Sequence, residues 1–97
     1  MIEFSDEMLF CRDPKQIFSE IDGEVVMLHI KNEEYYSLNE AASTIWKLLE
    51  EPLRLDSLVG SLLDIYDVDY NQCLKETKLH IIELHKEGLI NVQKAAK

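Results

Sequence analysis

A predicted strand passes directly into a predicted helix near the middle of the chain, with no loop between them. Tyr35, Tyr36 and Leu38 are residue types typical of strands, and Asn39 is a favourable helix N-cap. Apolar residues then recur at helical spacing along one side: Ala41, Ala42, Ile45, Trp46 and Leu49. So short a junction fixes the position of the strand relative to the helix. It therefore also fixes any groove beside the free edge of that strand.

The composition is that of one globular domain with a modest core. The chain has 97 residues, of which 46% are hydrophobic and 30% charged. No apolar run approaches the roughly 20 residues that span a bilayer, so we expect no membrane partner. Acidic residues stand near the N-terminus where a signal peptide carries Lys or Arg, which favours a cytoplasmic protein. Cys11 and Cys73 are far apart and have no metal or redox spacing, so we expect two free thiols.

The charge of the chain is unevenly distributed. The net charge is −9; residues 1–74 hold 16 acids and 5 bases, whereas residues 75–97 hold 3 acids and 5 bases. Nucleic-acid binding draws its affinity mainly from Lys and Arg, and an acidic body repels phosphate backbones. The pattern argues against a nucleic-acid partner. It indicates an acidic ligand near the late basic segment.

The order of patterns predicts an α+β fold in which a three-stranded antiparallel sheet is followed by three helices. Residues 1–15 have no clear period and are interpreted as a lead-in, residues 16–92 as the domain and residues 93–97 as a frayed tail. Strands are predicted at 17–21, 24–31 and 35–38, with a hairpin turn at Asp22-Gly23 and a second turn at 32–34. Helices are predicted from about 40 to 51, 56 to 66 and 70 to 87, the last ending at Gly88.

The third helix has two apolar sides. At about 100° per residue, Leu74, Thr77, Ile81 and Leu84 form one stripe that we expect to be buried. Leu79 and Ile82 lie on another side, flanked by three lysines: Lys75, Lys78 and Lys86. Either this second pair merely widens the buried face, with the lysines at its rim, or it forms an open apolar trough.

The third strand favours the open trough, because it lies at the edge of a meander of three strands. Unpaired N–H and C=O groups at such an edge can pair with an extended peptide, whose side chains would rest on the trough. The alternatives are that residues 1–14 cover the edge or that a second copy does, which would make a homodimer.

The chain resembles the PqqD-like proteins, the recognition elements that bind leader peptides of ribosomally made, post-translationally modified peptides. The most specific match is Tyr36-Ser37-Leu38-Asn39 followed by Ile45-Trp46. Weaker matches lie at residues 22–28, 66–69 and 84–90, and the resemblance spans roughly residues 16–92. Residues 51–53 and 72–73 are most similar to the stand-alone elements of lasso-peptide pathways. Alanines stand at 41 and 42 where many relatives carry a glycine.

The resemblance implies a winged-helix-like fold and a leader peptide that docks as a fourth strand. By position, it implies that the leader contacts one set of residues: Tyr35, Tyr36, Ser37, Leu38, Lys75, Lys78, Leu79, Ile82 and Lys86. It further implies no cofactor, and a role in presenting a precursor peptide to separate modifying enzymes such as a leader protease and a cyclase. Two rivals remain: a PqqD-type chaperone for a radical SAM enzyme in pyrroloquinoline quinone synthesis, and a winged-helix DNA-binding regulator. The second has little support, since the chain holds only two arginines.

No residue pattern predicts catalysis or a metal site. His80 and His85 are five positions apart, whereas two ligands on one helical face need three or four. His29 and Cys73 have no partner in the sequence that would mark them as reactive. We therefore expect a binding protein and not an enzyme.

Overall fold

The structure is a computed structural model that describes residues 4–5, 7–29 and 34–94. Five strands and three helices follow in the order β1 (Met8–Arg12), β2 (Ile17–Ile21), β3 (Glu24–His29), β4 (Glu34–Ser37), α1 (Glu40–Leu48), α2 (Leu55–Ile65), α3 (Tyr70–Lys86) and β5 (Ile90–Lys94). The predicted α+β class, with a three-stranded antiparallel sheet and three helices, is confirmed. Several predicted residues lie outside the described part of the chain: 1–3 and 6 of the lead-in, 30–31 of the second strand, 32–33 of the turn at 32–34, and the last three of the tail.

β2, β3 and β4 form the sheet in that order, with both neighbouring pairs antiparallel. Asp22 and Gly23 both have positive φ, at 52° and 87°, as a two-residue type I′ turn requires. The predicted hairpin is therefore confirmed. In the register that follows, Tyr36 opposes Met27 and Ser37 opposes Val26.

A second sheet of two strands joins the two ends of the chain. β1 pairs antiparallel with β5, and Phe10 at its centre is wholly buried and also bonds to Leu53. The sequence predicts a lead-in and a frayed tail here. Instead, the pairing of Met8 with Lys94 extends β5 past residue 92, because each strand supplies the other's hydrogen bonds.

Side-chain caps fix the start of two helices. Asn39 Oδ1 accepts from the Ala42 N–H at 2.8 Å to begin α1, and Asp69 Oδ1 accepts from the Gln72 N–H at 2.8 Å to begin α3. Gly88, with a φ of 75°, follows the end of α3 as the sequence predicts. Among the described residues, no helix is both long and apolar enough to cross a membrane.

The core lies between the sheet and the helices. Its largest members are Trp46 and Ile45 from α1, Met27 from β3 and Phe10 from β1, all at most 1% exposed. The predicted stripe on α3 contributes as well: Thr77, Ile81 and Leu84 are buried and Leu74 is half-buried. α3 is thereby held with one flank beside β4.

Candidate functional site

β4 presents an open edge. It pairs with β3 on one side, and within the described part of the chain no strand pairs on its other side. β1, which the sequence offered as a possible cover, pairs with β5 instead. Within residues 1–14, the part that the structure describes therefore does not pair with the open edge of β4.

The direction of the free backbone groups follows from the antiparallel ladder. The Leu38 N–H donates to the Val25 carbonyl at 2.9 Å, so this pair lies at a hydrogen-bonded position. Hydrogen-bonded and non-bonded positions alternate along such a ladder. Tyr36 therefore bonds to β3, whereas Tyr35 and Ser37 direct their N–H and C=O groups toward the open edge.

Side-chain directions at the edge alternate in the same way. Leu38 is buried and Tyr36 is half-buried, whereas Tyr35 is 76% exposed and Ser37 is exposed. Side chains two positions apart in a strand share a face, and in β4 the face that carries Tyr36 and Leu38 is the one turned to the core. Leu38 has both backbone groups occupied, since its carbonyl accepts from the Ser43 hydroxyl at 3.1 Å.

The Ser43 hydroxyl holds the strand-to-helix junction in place. It accepts from the Val25 N–H at 2.8 Å and donates to the Leu38 carbonyl, and Ser43 is 1% exposed. Without it, those two backbone groups would face each other at the end of the β3–β4 ladder. A side chain of α1 is therefore inserted into the sheet, and this positions β4 relative to the helices.

A cleft of about 290 Å³ separates β4 from α3. Its strand side is formed by Tyr36, Ser37 and Leu38, and its helix side by His80, Glu83 and Leu84. A second cavity of about 300 Å³ shares Asn39 and His80 with the cleft. Its further lining is mainly apolar: Ala41, Ile45, Leu62, Tyr66, Val68, Cys73, Glu76 and Thr77. The two cavities adjoin at these shared residues, and together they are called the groove.

The electrostatic character of the cleft is acidic at the β4 end. Partial burial raises the pKa of Tyr36, and the nearby Glu83 and Glu87 carboxylates raise this pKa further because they disfavour a phenolate. Two ion pairs are found in the described residues, Arg12 with Glu50 and Lys47 with Glu20. Neither pair neutralises a carboxylate of the cleft.

The predicted site residues separate into two places. Tyr36, Ser37 and Leu38 line the cleft, and Tyr35 lies at the adjoining edge. Lys78 instead lines a different cavity with Phe4 and Leu74, and its Nζ lies 5.5 Å from the centre of the Phe4 ring.

The other predicted residues of the third helix are absent from the lining of the cleft: Lys75, Leu79, Ile82 and Lys86. Leu79 is 57% exposed and Ile82 half-buried, so Leu79 does not widen the buried face. That all five α3 residues contact a peptide stays a prediction.

His80, Glu83 and Glu87 were not singled out by the sequence analysis as site residues. A helical wheel gives the angles between residues of α3 but not which flank faces β4. The sequence does contain a charge separation on this helix. At about 100° per residue, the mean direction of the three lysines lies roughly 120° from the mean direction of His80, Glu83 and Glu87, although Lys86 and Glu83 are only about 60° apart. Only the packing of α3 on the sheet identifies the flank that meets the strand.

The described residues contain no group of three or more His, Cys, Asp or Glu side chains that could hold a metal ion. Cys11 and Cys73 are both free thiols, and Cys73 is buried beside Val59 and Thr77. The groove presents free backbone groups, apolar side chains and carboxylates to a ligand.

The fold and the groove define a class of small α+β domains, in which a three-stranded antiparallel sheet with one open edge packs beside three helices. The chain belongs to the PqqD family: residues 24–90 match the model of coenzyme PQQ synthesis protein D. The family resemblance in the sequence is thereby confirmed. No curated protein sequence is significantly similar to the chain.

Two solved structures share the fold. One is TbiB1 in complex with the TbiA(beta) leader peptide, with a TM-score of 0.74, 28% identity and coverage of 84% of this chain and 94% of that chain. The other is lasso peptide synthetase B1 complexed with the leader peptide, with a TM-score of 0.72, 21% identity and coverage of 84% and 96%. The likeness to the second concerns the fold alone.

Proposed function

We propose that this protein binds the leader region of a ribosomally made precursor peptide and is not itself a catalyst. The proposal rests on the backbone N–H and C=O groups of Tyr35 and Ser37. They face the open edge of β4, beside the cleft between β4 and α3. Such an edge is suited to an extended peptide, and TbiB1, at 28% identity, was solved with a leader peptide bound.

Binding occurs by β-strand addition. The leader lies about 4.8 Å from β4 and exchanges hydrogen bonds with Tyr35 and Ser37. Alternate leader side chains then enter the groove between β4 and α3, which gives selectivity, while the others point away. Because Ser43 fixes the β4–α1 junction, the edge is already in place before the peptide arrives. A preformed edge lowers the entropy lost on binding.

The biochemical role is to raise the local concentration of the precursor near its modifying enzymes. A leader held on this protein converts the encounter between core peptide and enzyme into a nearly intramolecular event, provided that the enzyme also contacts the protein. We propose a leader protease and a cyclase of a lasso-type pathway as those enzymes, acting in the cytoplasm. We also propose that the fold is winged-helix-like, as the resemblance to the PqqD-like proteins implies.

A second candidate role has support from the family itself. The matching model describes a protein of PQQ synthesis, so the same groove could serve a precursor handled by a radical SAM enzyme. Both roles use the same strand addition and differ in the peptide that is bound.

The test is calorimetry with synthetic leader peptides, one from a lasso precursor and one from a pyrroloquinoline quinone precursor encoded beside the gene. We expect micromolar or tighter binding of one leader, weakened at least about tenfold by Ser37→Pro. Glu20→Pro is the matched control, because Glu20 faces the open side of the other edge strand, β2, by the same alternation. The proposal fails if neither leader releases heat at high micromolar concentration, or if Glu20→Pro and Ser37→Pro weaken binding equally.

A further inference from the structure

The charges of α3 are separated around its circumference. Lys75, Lys78 and Lys86 fall on one side, and the flank toward the groove carries carboxylates instead. Glu83 lines the cleft, Glu87 acts on Tyr36 beside it, and Glu76 lines the adjoining cavity. No lysine or arginine lines either cavity of the groove.

The two carboxylates that act on Tyr36 carry like charges at neighbouring positions on α3. Glu83 and Glu87 are four positions apart, a spacing that places like charges side by side on a helix and is slightly destabilising. Within the described residues, no ion pair engages either of them. A solvated helical face tolerates such a pair. Glu83, however, lines the cleft beside the open backbone ladder, where a peptide would shield it from water, and Glu87 acts on Tyr36 at the same place.

We infer that the groove selects a leader with a lysine or arginine facing α3 beside Tyr36, where Glu83 and Glu87 receive its cation. This inference rests on the proposed function, because it requires a strand paired to β4. In such a strand, every second side chain points toward α3, so one residue of the leader meets the two carboxylates directly. The bound cation would remove the repulsion between them and would also hydrogen-bond to them.

The inference reverses the expectation drawn from the sequence. An acidic leader was favoured when the lysines of α3 were assigned to the peptide-binding side. Glu83 lines the cleft, Glu87 acts on Tyr36 and Lys78 lies near Phe4, so an acidic side chain facing α3 would instead be repelled. The ligand class is therefore a basic peptide segment in extended conformation.

The experiment is a selection of random 12-residue peptides displayed on phage against the wild-type chain. Peptides that no longer bind after Ser37→Pro but still bind Glu20→Pro are kept, because they use the β4 edge. Their affinities are then measured by fluorescence anisotropy on the double variant Glu83→Gln/Glu87→Gln. The matched control is Glu51→Gln/Asp64→Asn, which alters two exposed acids outside the groove and changes the net charge equally.

We expect the kept peptides to be rich in Lys or Arg and poor in Asp and Glu. Their affinity should fall about three- to tenfold on the groove variant at low ionic strength and change less than about twofold on the control, as for two partly exposed ion pairs. Replacing the peptide's basic residue with Gln should make both proteins bind alike.

Two results would overturn the inference. Kept peptides without an excess of basic residues, or equal affinities on the groove and control variants, would show that the carboxylates do not select the ligand while leaving the proposed function standing. A selection that yields no peptide dependent on the β4 edge would remove the proposed function and this inference together.

Discussion

Replacing Ser43 with alanine tests how the open edge is held in position. The change removes one oxygen that accepts from the Val25 N–H at 2.8 Å and donates to the Leu38 carbonyl at 3.1 Å. Val25 and Ser43 are essentially inaccessible to water, at 0% and 1% exposure. Water therefore cannot take the place of the lost hydroxyl without a rearrangement at the end of the sheet.

The size of the destabilisation follows from the two backbone groups that lose their hydrogen-bond partner, the Val25 N–H and the Leu38 carbonyl. An unsatisfied buried donor costs about 1–3 kcal/mol, and the carbonyl adds a smaller amount. Some of this is recovered if β3 and β4 draw together so that the Val25 N–H reaches the Leu38 carbonyl directly. We expect a loss of about 2 kcal/mol in the free energy of unfolding, which for a domain of this size lowers Tm by about 10 °C.

The assay is urea denaturation followed by circular dichroism, with thermal denaturation alongside. Ser57→Ala is the control, because Ser57 is exposed on α2 and its side chain makes no hydrogen bond among the described residues. It should change stability by less than about 0.5 kcal/mol. If Ser43→Ala unfolds within about 2 °C of wild type, its hydroxyl does not bridge the ladder and the reasoning about the junction is refuted.

The remaining predictions concern the edge, a helix cap and a charged turn. Ser37→Pro should reduce leader affinity at least about tenfold while Glu20→Pro does not, because only the first removes an N–H from the peptide-binding edge; equal losses in calorimetry would contradict this. Asp69→Ala should cost about 1 kcal/mol in urea denaturation, since α3 loses its N-cap bond; no loss would mean that the cap is not formed in solution. The Asp13 carboxylate accepts hydrogen bonds from the Lys15 backbone N–H and from the Gln16 side-chain amide, and both lower the pKa of Asp13. The ionised carboxylate therefore favours the folded state. The stability that ionised Asp13 contributes is present above its unfolded pKa near 3.8 and is lost as the pH falls through the lower folded pKa. The Tm difference between wild type and Asp13→Ala should therefore vanish in strong acid. A difference that stays constant with pH would contradict this.

The parts of the fold with short-range signals could be predicted from the sequence. Asp-Gly is a residue pair that tolerates the positive φ required at both positions of a type I′ turn, and Asp22-Gly23 therefore predicted the first hairpin. The cap at Asn39 and the glycine at 88 placed two helix ends to within a few residues. These signals are local, so a single sequence contains them completely.

The pairing of β1 with β5 could not be predicted in the same way. Met8 and Lys94 lie at opposite ends of the chain, and residues 8–12 have no alternation because Phe10 packs into the core while its neighbours are half-buried. Only the closure of the whole domain brings these segments together. The apolar character of the lead-in was the sole local indication of a strand.

The candidate site was predicted on its strand side but not on its helix side. The identity of the edge strand follows from the order of three consecutive strands, and the residues predicted at 35–38 form that edge in the structure. The flank of α3 that faces β4 depends on how the helix packs, which the wheel does not contain. His80 and Glu83 consequently became visible only with coordinates.

Amide hydrogen exchange at Ser37, followed by NMR with and without a bound leader peptide, tests strand addition to β4 most directly. The Ser37 amide should exchange rapidly in the free protein and become strongly protected in the complex, whereas the Leu38 amide, already bonded to Val25, should be protected in both. A saturated complex in which the Ser37 amide exchanges as fast as in the free protein would contradict the account.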